Sequence, residues 1–196
     1  MSAIRYQALR GTAIREQMQP LAALRLTVFR DWPYLYDGTL AYEQQYLETY
    51  ARSDESLAVL AWDGATCVGA TTALPMQAAE AAMRKPFEQA GIGIDNTLYF
   101  GESVVLASHR GQGIGLAFFA QREGHAQVLG LTRCAFCAVD RPAVHPLKPS
   151  HYQGNDAFWM RRGYSRQASL QCTFDWLDRG EPTATPHTLT YWLRDL

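Results

Sequence analysis

The spacing of apolar residues changes along the chain, and each change predicts an element. Ile4 to Ile14 accommodates a first strand. Gln17 to Arg30 groups Leu21, Leu24, Leu26, Val28 and Phe29 at helical spacing, with Pro20 suited to a first turn. Asp31 to Gly38 is an aromatic loop broken by Pro33 and Gly38. Ala41 to Arg52 predicts a second helix with Tyr42, Tyr46, Leu47 and Tyr50 on one side. Leu57 to Trp62 and Thr66 to Ala73 read as a hairpin turning at Asp63-Gly64.

Ala78 to Ala90 forms a polar helix or lid. A strand over Tyr99 to Leu106 feeds a glycine-rich turn and a helix over Ile114 to Leu129, followed by a strand over Leu131 to Val139. Arg141 to Ser150 carries three prolines and is a loop. Asn155 to Arg162 predicts a short helix with Gly163 as its C-terminal stop. Ser169 to Leu177 and Thr188 to Leu193 close as strands. The order β-α-α-β-β-(α)-β-α-β-α-β-β is that of an α/β protein with a mixed sheet. With no repeat or linker, residues 1–196 are expected to form one domain.

Composition narrows the picture. The 196 residues are 47% hydrophobic, enough for a full core, and a net charge of −1 advertises no basic face for nucleic acid. No apolar run approaches 18 residues and the N-terminus lacks an apolar signal core, so a soluble cytoplasmic protein without a membrane partner is the expectation. Cys134 and Cys137 form the one C-x-x-C; strand geometry points them to opposite faces, and no second pair completes a zinc site. Reduced thiols and no metal are expected.

The segment His109-Arg-Gly-Gln-Gly-Ile-Gly115 carries the chemistry. A glycine-rich turn between a strand and a helix N-terminus presents free N–H groups and a positive dipole end, which together seat a phosphate. A Walker loop would need Lys and Ser or Thr after its last glycine, and Leu116 follows Gly115. A dinucleotide fingerprint would need a third glycine where Leu116 or Phe118 stands. The remaining pattern, Arg-x-x-Gly-x-Gly, is met by Arg110, Gly113 and Gly115.

In this segment the chain resembles the GCN5-related N-acetyltransferase (GNAT) family, whose loop reads Val-x-Pro-x-x-Arg-Gly-x-Gly-Ile-Gly; here Ala107 stands where Pro is usual. The resemblance implies a mixed, mostly antiparallel central sheet flanked by helices, acetyl-CoA as co-substrate, and direct attack of an amine on the thioester. It implies that Arg110, Gly111, Gln112, Gly113, Ile114 and Gly115 hold the pyrophosphate, and that the backbone of Val104, Val105 and Leu106 pairs with the pantetheine. Glu102, on the strand before the loop, is the base expected from it, sharing a face with Val104 and Leu106. His109 is expected to face solvent.

A second family signature, an Asn…Leu-Tyr…Gly-Phe helix, corresponds to His151 to Tyr164. Trp159 falls where the acid tyrosine is usual and is expected to contact the coenzyme A, although an indole is no practical acid. Asn155 then holds the pantetheine with a shifted reach, or Tyr152 supplies the phenol. Trp32, Tyr34 and Tyr36, with Asp31 or Asp37, line the acceptor side in this reading, and His145 approaches from the other. A small-molecule amine is the expected acceptor, and a homodimer stays open. The alternatives are a non-catalytic acyl-CoA-binding module and a transferase for a longer acyl group.

Overall fold

The computed structural model describes residues 3–196. Along the chain come β1 (Arg5–Leu9), α1 (Met18–Phe29), α2 (Leu40–Ala51), β2 (Leu57–Asp63), β3 (Thr66–Pro75) and α3 (Ala81–Gln89). There follow β4 (Thr97–Val105), α4 (Ile114–Val128), β5 (Arg133–Val139), α5 (Asp156–Arg161), β6 (Ser165–Trp176) and β7 (Thr185–Asp195). This is the predicted order. The seven strands form one sheet, β1-β2-β3-β4-β5-β7-β6, in which β4–β5 is the parallel pair and the others are antiparallel.

Three boundaries differ from the sequence reading. The first strand stops at Leu9 and gives way to a 3₁₀ segment, Gly11–Gln17, because Gly11 takes φ +50° and its N–H turns to Ser56 Oγ at 3.2 Å. The hairpin turns one residue later than expected. Asp63 pairs with Thr66, so the two loop residues are Gly64, at φ +58°, and Ala65. The last two strands extend well beyond their apolar stretches, since β6 and β7 pair through their backbones from Ser165 to Trp176, across an irregularity between Gln167 and Gln171.

Helices α1 and α2 pack on one face of the sheet, where Leu21, Leu24, Leu47 and Tyr50 meet Leu60, Leu74 and Val104. On the other face, α4 covers the sheet through Ile114, Phe118 and Phe119. The polar α3 is anchored by Phe87, which meets Tyr191 edge-on at 4.9 Å. Cys134 and Cys137 do lie on opposite faces, in the α4 and α1 clusters respectively, and all four cysteines are free.

Two irregularities prepare a site at the centre of the sheet. Strands β4 and β5 pair over only Thr97–Tyr99 with Arg133–Ala135, then part. Within β4, Ser103 pairs with Thr71 and Phe100 with Ala73, so that Gly101 and Glu102 together oppose Thr72. Such a bulge bends the strand and re-aims a side chain. Gly101 is required there: a Cβ would lie 1.9 Å from the Tyr50 hydroxyl and 2.5 Å from Thr72 Oγ1.

Candidate functional site

The glycine loop closes the β4 side of the opening. Gly111 and Gly113 take φ +75° and +83°, and a Cβ on either would meet no atom within 4 Å, so their backbone is open to an approaching group. Gly113 caps α4. Among the described residues, the N–H groups of Ile114, Gly115 and Leu116 bond to no protein acceptor, as the first turn of a helix requires. Gly115 lies under Phe158, whose Cζ would be 3.7 Å from a Cβ. Ile114 is buried and pins the helix start to the core.

The loop is held from within. Gln112 Nε2 donates to the Ser108 carbonyl at 3.2 Å, and Arg110 Nε donates to the Val105 carbonyl at 3.2 Å. His109 does not face solvent; its Nε2 lies 3.3 Å from Asp63 Oδ2 on the β2–β3 hairpin, which ties the loop to the hairpin tip. Leu106 N–H is committed to the Val68 carbonyl on β3. Strand alternation then leaves Val105 as the residue whose backbone faces away from β3. Val104 buries its side chain in the core.

Glu102 sits on the bulge, 3% exposed, and points to the α1–α2 face as Val104 does. Arg25 Nη1 donates to its Oε2 at 2.5 Å, and the Tyr46 hydroxyl lies 3.4 Å from the same oxygen. Arg25 Nε donates in turn to Glu43 Oε2. Two buried carboxylates thus share one buried guanidinium. The second oxygens, Glu102 Oε1 and Glu43 Oε1, have no hydrogen-bond partner among the described residues. Burial pushes the Glu102 carboxyl above the usual carboxylate range; Arg25 opposes the shift and the charge of Glu43 adds to it. Burial also works against the Arg25 charge, but Glu102 and Glu43 outweigh it and hold the guanidinium firmly protonated.

A cavity of about 530 Å³ fills the gap between β4 and β5 and brings distant segments together. Gly101 to Ser103 form one wall and Phe136 to Val139 the other, with Trp32 and Tyr34 at the α1 end. Tyr152, Asn155 and Trp159 line the cavity from the α5 side. Trp159 is wedged against Phe136 and Trp192, with ring centroids at 5.0 and 5.1 Å. Asn155 precedes α5 but makes no side-chain capping bond, so its amide is not spent on the helix. Tyr152 meets Trp32 edge-on at 6.1 Å. Burial raises its phenol, the Asp156 charge adds to this, and Arg110 opposes it, which puts the phenol within the field of the glycine loop.

The other expected acceptor residues divide. His145 packs on Trp32 at 4.9 Å without lining this cavity. Tyr36 lines a second hollow of about 370 Å³, which shares the Phe29–Tyr34 wall with the first. Asp37 lines that hollow too, but is paired with Arg30. Sequence reasoning missed Arg25, Glu43, Arg122 and Arg141. The available signal was a charge inside an apolar helical stripe, as at Arg25 between Leu24 and Leu26. Arg141 donates to the carbonyls of Pro33 and Tyr34 and to both oxygens of Asp178, fastening the aromatic loop to the loop after β5.

No protein-family model and no curated protein matches this sequence. Solved structures do match in three dimensions. The chain superposes on the ribosomal-protein-alanine N-acetyltransferase from Brucella melitensis with a TM-score of 0.63 and 15% identity, covering 100% of both chains. An acetyltransferase of the GNAT family from Streptococcus pneumoniae gives 0.59 and 11%, covering 99% of this chain and 100% of that one. The PaiA N-acetyltransferase from Thermoplasma acidophilum, solved in complex with coenzyme A, gives 0.56 and 11% over 100% of both. The fold is the GNAT fold.

In this chain the GNAT fold sets the parted strands, the bulged β4 and the glycine loop around one opening. No helix among the described residues is long and apolar enough to cross a membrane, and no group of three or more His, Cys, Asp or Glu is arranged to hold a metal among them.

Proposed function

We propose that this protein is an N-acyltransferase that moves an acyl group, acetyl in the simplest case, from coenzyme A to the amine of a small molecule. The observation that carries the reading is the meeting of two features in one opening. One is an α4 N-terminus with free N–H groups and open glycines at φ +75° and +83°. The other is a buried carboxyl, Glu102, with an unsatisfied Oε1, on the cavity wall. The first suits a pyrophosphate, with Arg110 beside it and Asn155 free to bond the pantetheine amides. The second suits a base.

The chemistry follows from these groups. The amine lone pair attacks the thioester carbon, the C–S bond breaks, and its electron pair leaves on sulfur. Glu102 takes the proton that nitrogen loses. Its raised value favours this, because a base works best when its pKa lies near the working pH. Tyr152, kept protonated by burial, delivers a proton to the thiolate. Trp159, in the position usual for a tyrosine, serves as an apolar wall. Trp32 and Tyr34 offer aromatic faces to the incoming amine.

Thiol release from acetyl-CoA against amino acids, polyamines, aminoglycosides and short peptides tests the proposal. Release that depends on one acceptor supports transfer and names its class. Coenzyme A binding by calorimetry without release under any acceptor turns the reading to a transferase for another acyl group or to a non-catalytic acyl-CoA-binding module, which repeating the assay with longer acyl-CoA donors separates.

A further inference from the structure

Arg122 is 2% exposed, lies on α4 two turns after the glycine loop, and lines the cavity. It forms no ion pair among the described residues. Among those residues its one hydrogen bond runs from Nε to the Phe118 carbonyl of its own helix, at 3.4 Å, and its two terminal nitrogens donate to none of their acceptors. The guanidinium instead lies over the faces of Phe100 and Phe119, at 4.0 and 4.8 Å.

The nearby acids are already engaged. Glu123 accepts from Arg162 at 2.5 Å, Arg194 at 2.9 Å and the Tyr164 hydroxyl at 3.1 Å. Glu102 is held by Arg25 at 2.5 Å. Burial pushes Arg122 down to about 10, with the charges of Glu123 and Glu102 among the causes that oppose it, so the group is still a cation at neutral pH although neither acid pairs with it. A buried charge without a counter-ion is costly, and an anion brought to it is bound strongly. An acetyl group carries no charge to pair with it.

We infer that Arg122 is the anchor for a carboxylate at the far end of the acyl group, so that the preferred donor is a coenzyme A thioester of a dicarboxylic acid. This rests on the acyl-transfer reading. The side of the sheet argues for the donor over the acceptor. Arg122 belongs to the helix whose N-terminus receives the pyrophosphate, whereas Glu102 and Tyr46 face the α1–α2 side. The bond-breaking step is unchanged: nitrogen still attacks the thioester carbon and sulfur still leaves, while the distal carboxylate takes no part.

Calorimetry with coenzyme A, butyryl-CoA and succinyl-CoA tests this, the last two having equal chain length and differing in the carboxylate. Wild-type protein is expected to bind succinyl-CoA at least about tenfold more tightly than butyryl-CoA. Arg122→Met should abolish that ratio and Arg122→Lys should retain part of it. Equal affinities in the wild type, a comparison that needs no variant, overturn the inference, whether Arg122 merely packs on its two rings or receives an acceptor's carboxylate. Binding of none of the three removes the acyl-transfer reading and this inference with it, so the two failures are distinguishable.

Discussion

Arg25 on α1 reaches Glu102 on β4, 77 residues away, through a buried 2.5 Å contact, and holds Glu43 of α2 with its other side. One guanidinium therefore bridges two buried carboxylates, and the charge of Glu43 reaches the carboxyl at the cavity without a hydrogen bond between them.

Glu43→Gln tests that tuning. The charge of Glu43 helps to raise Glu102, so removing it lowers the Glu102 value. The acidic limb of the pH profile of kcat/KM, which reports the free enzyme, is expected to move to lower pH. An unmoved limb would mean that the base is another group.

Glu102→Gln is expected to lower turnover at neutral pH by about 10²–10⁴-fold, the usual worth of a general base, without weakening coenzyme A binding. It should also change the pH dependence of stability. The folded Glu102 value lies above the unfolded one, so the folded state holds the proton longer. The native protein's stability then falls as pH rises from about 4.3 through the raised value. The variant should lack that decline, as denaturant unfolding over this range will reveal.

The two loop glycines should respond differently. Gly113 lies at φ +83°, so Gly113→Ala costs about 1–2 kcal/mol of stability and obstructs the phosphate's approach. Gly115→Ala puts a Cβ in ordinary contact, 3.7 Å from Phe158, and should melt as the wild type does. Thermal unfolding separates the pair, and unchanged coenzyme A affinity in Gly113→Ala would remove the pyrophosphate assignment.

Tyr152→Phe keeps the ring against Trp32 and removes the phenol. A fall in the rate constant of at least about tenfold with coenzyme A affinity retained is the expected result for an acid. A wild-type rate constant would reduce Tyr152 to packing.

Arg141→Met should loosen the aromatic loop, because the carbonyls of Pro33 and Tyr34 lose their donor and Asp178 loses its main counter-ion. The pair is only part-buried, so breaking it costs less than the ~3–5 kcal/mol of a fully buried pair. The acceptor KM is expected to rise while coenzyme A affinity holds, which steady-state kinetics and calorimetry measure separately.

The strand–glycine turn–helix unit and the order of the elements are legible in the sequence because they rest on local causes: left-handed backbone at Gly111 and Gly113, and apolar spacing over a few residues. The aromatic loop, with Trp32 and Tyr34, could be located in the same way. Tertiary structure alone decided the rest. The bulge at Gly101–Glu102 exists only against Thr72 of another strand. Arg25 meets Glu102 only once α1 lies on β4, and Arg122 is left without an acid because Glu123, its neighbour in the chain, turns to Arg162, Arg194 and Tyr164. Likewise, Tyr34 borders both hollows as part of the wall between them, while Tyr36, two residues on, lines only the second. Local backbone preference fixes which elements form and in what order, whereas their exact ends and which charges share a buried space depend on strand register and helix docking, which no short stretch of sequence encodes.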